Sequence, residues 1–268
     1  MKAGLLILAL IAVFVAPPVF GQAVNREKDA DDWHFYISPH LFGIHISGTA
    51  AMTSPVGDPV ELPIGVRLRD MADNLDWALA GLIQVKKGKW AFAADLSHSE
   101  LSGKQFVPLP TEGPSQAEVE TKVTIDEHEL FVGYQLNDGN PFSEIIFGVR
   151  YINQDIELCV QAGPEELNQS IGDSWWRPFI GLRYYGPHNE TTKWSPILRA
   201  DVGGFDRASA LTWRADLGMA YLFAKHWDLS LRYKWMGVNY KKCEAGDVDY
   251  YRYDALEHGF MLGIGIRF

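Results

Sequence analysis

The chain has 268 residues and a formal charge of −10, which permits one large domain or two small ones. An acidic balance argues against a nucleic-acid partner, which would want a basic patch. Beyond residue 23 nothing approaches the roughly 20 consecutive apolar residues of a helical membrane span, although aromatic side chains are abundant.

The N-terminus has its own logic. Lys2 gives a short positive region, Leu5 to Val15 is an apolar run, Pro17 and Pro18 break it, and Gly21 and Ala23 are small. That is the layout of a secretory signal peptide. Cleavage after Ala23 is preferred over Gly21, giving a leader at 1–23 and one domain at 24–268. The bland alternative, an uncleaved anchor, suffers from the shortness of the run. No cysteine lies near the cleavage region, so a lipoprotein anchor is not expected. Cys159 and Cys243 are the two cysteines. Export makes a disulfide between them possible, but the sequence does not bring them within bridging distance.

From Trp33 onward the chain alternates with period two, which places one residue set on each face of a strand. Trp33, Phe35, Ile37 and Leu41 oppose His34, Tyr36 and His40. Trp77, Leu79 and Ile83 oppose Gln84 and Lys86; Trp90, Phe92, Ala94 and Leu96 oppose Asp95 and Ser97. The pattern returns in 127–136, 144–151, 177–184, 194–203, 212–223 and 227–235. It ends with Phe260, Leu262, Ile264, Ile266 and Phe268 against Met261, Gly263, Gly265 and Arg267. That makes ten predicted strands. Links after even strands are short (87–89, 137–141, 186–193, 224–226). Most links after odd strands are long (45–75, 100–120, 154–174, 238–249). An even count with short turns on one side and long loops on the other is expected of a transmembrane up-and-down β-barrel. Eight strands remain open, as do twelve if 50–67 forms a further hairpin.

Alternation alone also fits a soluble β-sandwich with its apolar face inside. Two features favour the barrel. Aromatics crowd the strand ends (Trp33, Trp77, Trp90, Trp176, Trp194, Trp213, Trp227, Trp235, Phe268), as in an interfacial girdle. The other face mixes glycines with large charges of both signs: Asp95, Glu127, Glu129, Arg150, Arg177, Arg183, Arg199, Asp201, Arg214, Asp216, Arg232, Lys234 and Arg267. Such charges inside a barrel need partners to offset their desolvation, so an interior ion-pair network is predicted. Glycines such as Gly148 and Gly218 would make room for it. Phe131, Phe179 and Tyr185 also point inward, and such a lumen is plugged or very narrow.

The closing Gly-Ile-Gly-Ile-Arg-Phe268 resembles the terminal strand read by the barrel-insertion machinery of Gram-negative outer membranes. Trp33-His-Phe-Tyr-Ile-Ser-Pro-His-Leu-Phe-Gly43, Asp73-Asn-Leu-Asp-Trp77 and Trp176-Arg-Pro-Phe-Ile-Gly-Leu-Arg-Tyr-Tyr185 resemble segments of small proteobacterial outer-membrane β-barrel proteins. The resemblance covers most of the mature chain. It implies an outer-membrane location, lipid and lipopolysaccharide as neighbours, and Phe268 as the insertion signal. It carries no chemistry.

Motifs for catalysis or cofactors are weak. Ser97-His98-Ser99-Glu100 has the residue types of a lipid esterase, but neighbours on one strand point to opposite faces. A working site would need an orienting group from another strand, and the sequence identifies none. The chain is therefore expected not to be an enzyme. No metal site or cofactor is expected either. His34 and His40 lie about 20 Å apart on one strand, and Asp247, Asp249 and Asp254 read as a solvated acidic loop. Asp70 to Asp76 reads as a short helical or capped segment leading into the second strand, or as a surface turn, and Glu157, Glu165, Glu166 and Asp173 as an acidic external loop. The functional expectation is a structural or surface-interaction barrel with a filled interior, with a narrow channel or a lipid-modifying enzyme as alternatives. Oligomeric state is open.

Overall fold

The computed structural model describes residues 32–53, 59–66, 75–108, 116–137, 142–162, 165–187, 191–205, 211–247 and 249–268. Its strands are β1 (Trp33–Thr53), β2 (Pro59–Val66), β3 (Leu75–Lys87), β4 (Trp90–Pro108), β5 (Gln116–Gln135), β6 (Phe142–Ala162), β7 (Glu165–Tyr185), β8 (Trp194–Gly203), β9 (Thr212–Ala224), β10 (Trp227–Lys242) and β11 (Tyr251–Arg267). From β3 to β11 each strand pairs antiparallel with the next, and β11 returns to β1. Ten strands, β1 with β3 to β11, thus close the predicted barrel. The last backbone bonds of the closure join Phe268 N to Phe35 O (3.0 Å) and Phe35 N to Phe268 O (3.2 Å).

β2 is the eleventh strand. It pairs with the outer part of β1, from Ile46↔Val66 to Thr53↔Pro59, while β3 pairs with the inner part, from Trp33↔Lys87 to Pro39↔Gly81. The further hairpin at 50–67 that would have made twelve strands is therefore corrected: one strand is added, because the outer half of β1 is itself the partner of β2, which shares the place of β3 beside β1. Residues 1–31 and 67–74 lie outside the described residues, so the leader and most of the Asp70–Asp76 segment do too.

The short links fall where expected. Between β3 and β4 the chain reverses over two residues with Gly88 at φ 57°, a left-handed conformation that glycine adopts without a Cβ penalty. The long links are a correction. Most of 100–120 and 154–174 is continuous strand, because β4 runs to Pro108, β5 starts at Gln116, β6 runs to Ala162 and β7 starts at Glu165. The acidic residues Glu157, Glu165, Glu166 and Asp173 sit on those strands. Lipid on one side is what imposes the apolar-out alternation. Beyond the membrane the sense of the alternation reverses: in Thr121-Lys-Val-Thr-Ile-Asp126 Val123 and Ile125 pack inward against the outer core while Lys122, Thr124 and Asp126 face out, so the lipid-facing pattern ends while the pairing continues.

Uneven strand lengths reshape the barrel outside the membrane. β8 stops at Gly203, paired with Phe179, and β9 begins at Thr212, so neither continues outward. β3 has given way to β2. Eight strands go on: β10, β11, β1 and β2 as one four-stranded sheet, and β4 to β7 as another. Among the described residues no backbone ladder joins β7 to β10 or β2 to β4. The inward side chains of both sheets meet in one apolar cluster: Ile44, Ile46, Met236, Val238, Tyr251 and Tyr253 from the first, Leu101, Ile152 and Trp175 from the second. A closed ten-strand barrel thus becomes a two-sheet sandwich at its outer end.

Candidate functional site

The outside of the wall is apolar and the inside charged, which decides between membrane barrel and soluble sandwich. Leu182 is 56% exposed and Leu217 55%, whereas Arg150 is 1% and Glu129 1%. Trp33, Trp90 and Trp194 stand exposed at the periplasmic ends of their strands, and Trp77, Trp176 and Trp213 at the outer limit of the apolar band. In water this surface would be a very large apolar patch. In a bilayer it is the required coat.

Mid-barrel, the charges form a belt. Glu129 accepts from Arg150 Nε (2.6 Å) and lies 2.8 Å from Arg199 and 3.1 Å from Arg214. Asp201 takes Arg150 at 2.8 Å and Arg199 at 2.7 Å. Asp216 takes Arg214 at 2.8 Å, with Arg232 at 4.0 Å. Glu127 holds Lys234, and Asp95 lies 3.6 Å from His40 Nε2 and 3.8 Å from Arg214. β1, β4, β5, β6, β8, β9 and β10 contribute because inward positions recur every second residue and the antiparallel register stacks them: Asp95↔Glu129↔Arg150 crosses β4, β5 and β6. His40, Phe42, Asp95, Glu127, Arg214 and Lys234 help line a cavity of about 10 Å³, the room one water molecule takes.

Apolar layers close the lumen on both sides of the belt. Toward the periplasm sit Leu82, Ala93, Phe131, Ile146 and Phe179. Arg150 and Arg199 lie over the Phe179 ring (4.9 and 5.3 Å), and Arg183 over Phe131 (4.7 Å), so the rings carry cations on their faces. Gly148 makes this possible, since a Cβ there would lie 2.5 Å from Phe131 Cβ and 2.7 Å from Phe179 Cζ. Gly218 likewise yields to Arg232, whose Cγ would be 2.6 Å away. Above the belt lies the apolar core of the outer sandwich.

Three predicted network members sit elsewhere. Arg183 pairs with Glu144 (2.5 Å) and Gln84 (3.0 Å) near the periplasmic end. Arg267 pairs with Asp228 (2.9 Å) at the same end. Arg177, on β7, lies 5.3 Å from the Tyr240 ring, toward the outer sandwich. Glu144 and Asp228 were on legible polar faces. Glu257, buried and bonded by Tyr253 (2.9 Å) and Gln154 (3.2 Å), was missed because β11 begins nine residues before its apolar alternation. Cys159 and Cys243 are not joined: the first is on β6, in one outer sheet, and the second follows β10, in the other.

Between the two outer sheets the β7–β10 seam is bridged by side chains. Trp175 stacks on Tyr240 at 4.0 Å and 8°, the Tyr240 hydroxyl donates to Asp173 (2.9 Å), and Lys242 reaches Asp173 at 3.3 Å. Burial and the Asp173 carboxylate hold the Tyr240 phenol above its ordinary pKa.

On the outer face of the wall, the structure supplies the cross-strand partner that the sequence did not show for His98. Asp126 on β5 lies 2.6 Å from His98 Nδ1, and Asn153 on β6 donates to the other Asp126 oxygen at 2.9 Å. Ser97 turns inward and donates to the Glu127 carbonyl (3.2 Å). Asp247 and Asp254 are engaged by the Glu244 amide and Arg252, and no group of three or more metal-ligating side chains occurs among the described residues.

No protein-family model and no curated protein matches the sequence. Solved structures do share the fold. The outer membrane protease OmpT from Escherichia coli has a TM-score of 0.50 at 10% identity, over 90% of this chain and 98% of its own. The translocator domain of the autotransporter NalP from Neisseria meningitidis has 0.44 at 12%, over 90% of each chain. Ail of Yersinia pestis has 0.33 at 8%, over 88% and 99%. The likeness to a protease overturns the expectation that the chain is not an enzyme, because this architecture carries hydrolysis elsewhere and cannot be used to exclude it. The fold shared with the outer membrane protease fits the closed ladder, and together with the apolar coat and aromatic girdles of this chain it leads to one conclusion: the chain is an integral β-barrel of the bacterial outer membrane.

Proposed function

We propose that this is a filled barrel that holds its outer sandwich above the membrane as an interaction surface, in contact with lipid and lipopolysaccharide at its rim, and that it is not a channel. The observation that carries this reading is the stacking of apolar layer, ion belt and apolar layer across the whole lumen. A conducting pore keeps a polar, water-filled interior. The sandwich, by contrast, places four strands of each sheet outside the membrane with polar outward residues such as Lys104, Lys122 and Asp155. In this reading residues 1–23 are the export leader and Phe268 the insertion signal, and the N-terminus of the exported protein should be Val24.

Planar-bilayer recording on the purified protein is the test. No steady conductance is expected. A steady conductance retuned by Arg199→Glu or Arg214→Glu would overturn the reading, since both side chains lie in the belt that closes the lumen.

A further inference from the structure

His98 and Asp126 face away from the lumen, at a defined depth. The outward residues of β4 run Trp90, Phe92, Ala94, Leu96 and then His98 and Glu100; those of β5 run Leu130, His128, Asp126. The row His128–Tyr151–Trp176, joined by ring contacts of 5.8 and 5.0 Å, ends the apolar band. The His98–Asp126–Asn153 row is the next one outward. This is where acyl chains give way to headgroups, the level that amphipathic rings mark. The acyl ester bonds of membrane lipids lie at that depth.

The arrangement there has the parts of a water-activating site. Asp126 fixes one imidazole nitrogen at 2.6 Å and is itself fixed by Asn153 at 2.9 Å. With the proton assigned to Nδ1 by that bond, Nε2 is the acceptor. Nε2 is 3.6 Å from Glu100 Oε1, too long for a direct hydrogen bond and short enough for one water to touch both. Lys122 lies 3.8 Å from the other Glu100 oxygen, so the carboxylate beside that water position is itself partnered by a cation. The Trp77 ring lies 5.0 Å from the imidazole and offers an apolar wall to an acyl chain. A base, the group that orients it and access from the lipid side are parts that ester hydrolysis by activated water uses.

We propose that His98, oriented by Asp126 and assisted by Glu100, activates water to hydrolyse acyl esters of outer-leaflet lipids. Water oxygen adds to the ester carbonyl carbon as one water proton passes to Nε2. The carbon–oxygen bond to the alcohol then breaks, and Nε2 returns its proton to the departing alkoxide. Ester and water become fatty acid and alcohol, with no oxidant or metal needed. His98 is the catalytic residue, because it touches the reacting water; Asp126 and Asn153 are positioning residues.

The test uses the full mature barrel in phosphatidylethanolamine vesicles, and in the same vesicles carrying lipopolysaccharide, with released fatty acid measured and identified by chain. Release is expected from one or both; the chain released tells phospholipid from acylated glycolipid. His98→Gln should lower it about a hundredfold or more, with the folded, heat-modifiable gel band retained. Asp126→Asn should lower the rate and shift its pH profile, and Asp126→Glu should restore part of it. No release from either vesicle, or release that His98→Gln leaves unchanged, would overturn the proposal. The filled-barrel reading is tested by conductance and stands or falls separately.

Discussion

Glu129 serves three guanidinium groups from one buried carboxylate, with Arg150 at 2.6 Å, Arg199 at 2.8 Å and Arg214 at 3.1 Å. Removing it leaves like charges facing one another in a site without bulk water. Glu129→Ala should therefore cost about 3–5 kcal/mol, seen as a lower urea midpoint of the barrel refolded in vesicles. Lys104 offers the contrast. Its pairs with Glu118 (2.9 Å) and Glu120 (3.1 Å) lie on the exposed outer rim, and Lys104→Ala should leave the same midpoint nearly unmoved. The charges of this belt were legible in the sequence because they alternate with lipid-facing leucines. Their pairing was not, since Arg150 and Asp201 meet across 51 residues through a register that only the closed ladder sets. The same limit hid the partner of His98: Asp126 is 28 residues away, and nothing local links them.

At the scale of elements, the β7–β10 seam substitutes side chains for a backbone ladder. Trp175→Ala removes the ring stacked on Tyr240 and should loosen the outer sandwich without opening the barrel below. Hydrogen exchange of β10 amides from Asn239 to Lys242 should rise while those near Leu231 stay protected. The seam is also sensitive to alkali. The Tyr240 phenol is held above the ordinary tyrosine value by burial and by Asp173. Its contribution is thus complete below that ordinary value and lost as pH rises through the raised one. Asp173→Asn removes part of the cause, so tyrosinate absorbance should appear at lower pH than in the parent protein. Strands were readable from sequence inside the membrane, where a slip of one residue would turn every leucine from lipid to lumen. They were unreadable above it because the sense inverts: in β4 beyond Glu100 and β5 before Asp126 the apolar residues Leu101, Val123 and Ile125 face the sandwich core and polar ones face out, so the lipid-facing pattern stops although the strands go on.

For the whole molecule, closure and splitting occur at different heights. Inside the membrane ten strands leave β11 bonded to β1 from Tyr36↔Arg267 outward. At the outer rim β8 and β9 end beside Trp213, and β7 continues past Trp176 with no partner strand on that side among the described residues. Backbone groups left unpaired at a strand edge are satisfied by water and costly in hydrocarbon. The end of the β8–β9 hairpin therefore works as a gauge of bilayer thickness, and an asymmetric one. A thinner bilayer uncovers paired wall, which water tolerates, whereas a thicker one draws the β7 edge into acyl chains. Folding yield in vesicles of increasing acyl-chain length should hold steady up to the span set by Trp194 and Trp213, then fall sharply. Lengthening β8 and β9 by two residues each should move that threshold outward, so that a barrel's tolerance for the membranes it can inhabit is written in the length of one hairpin.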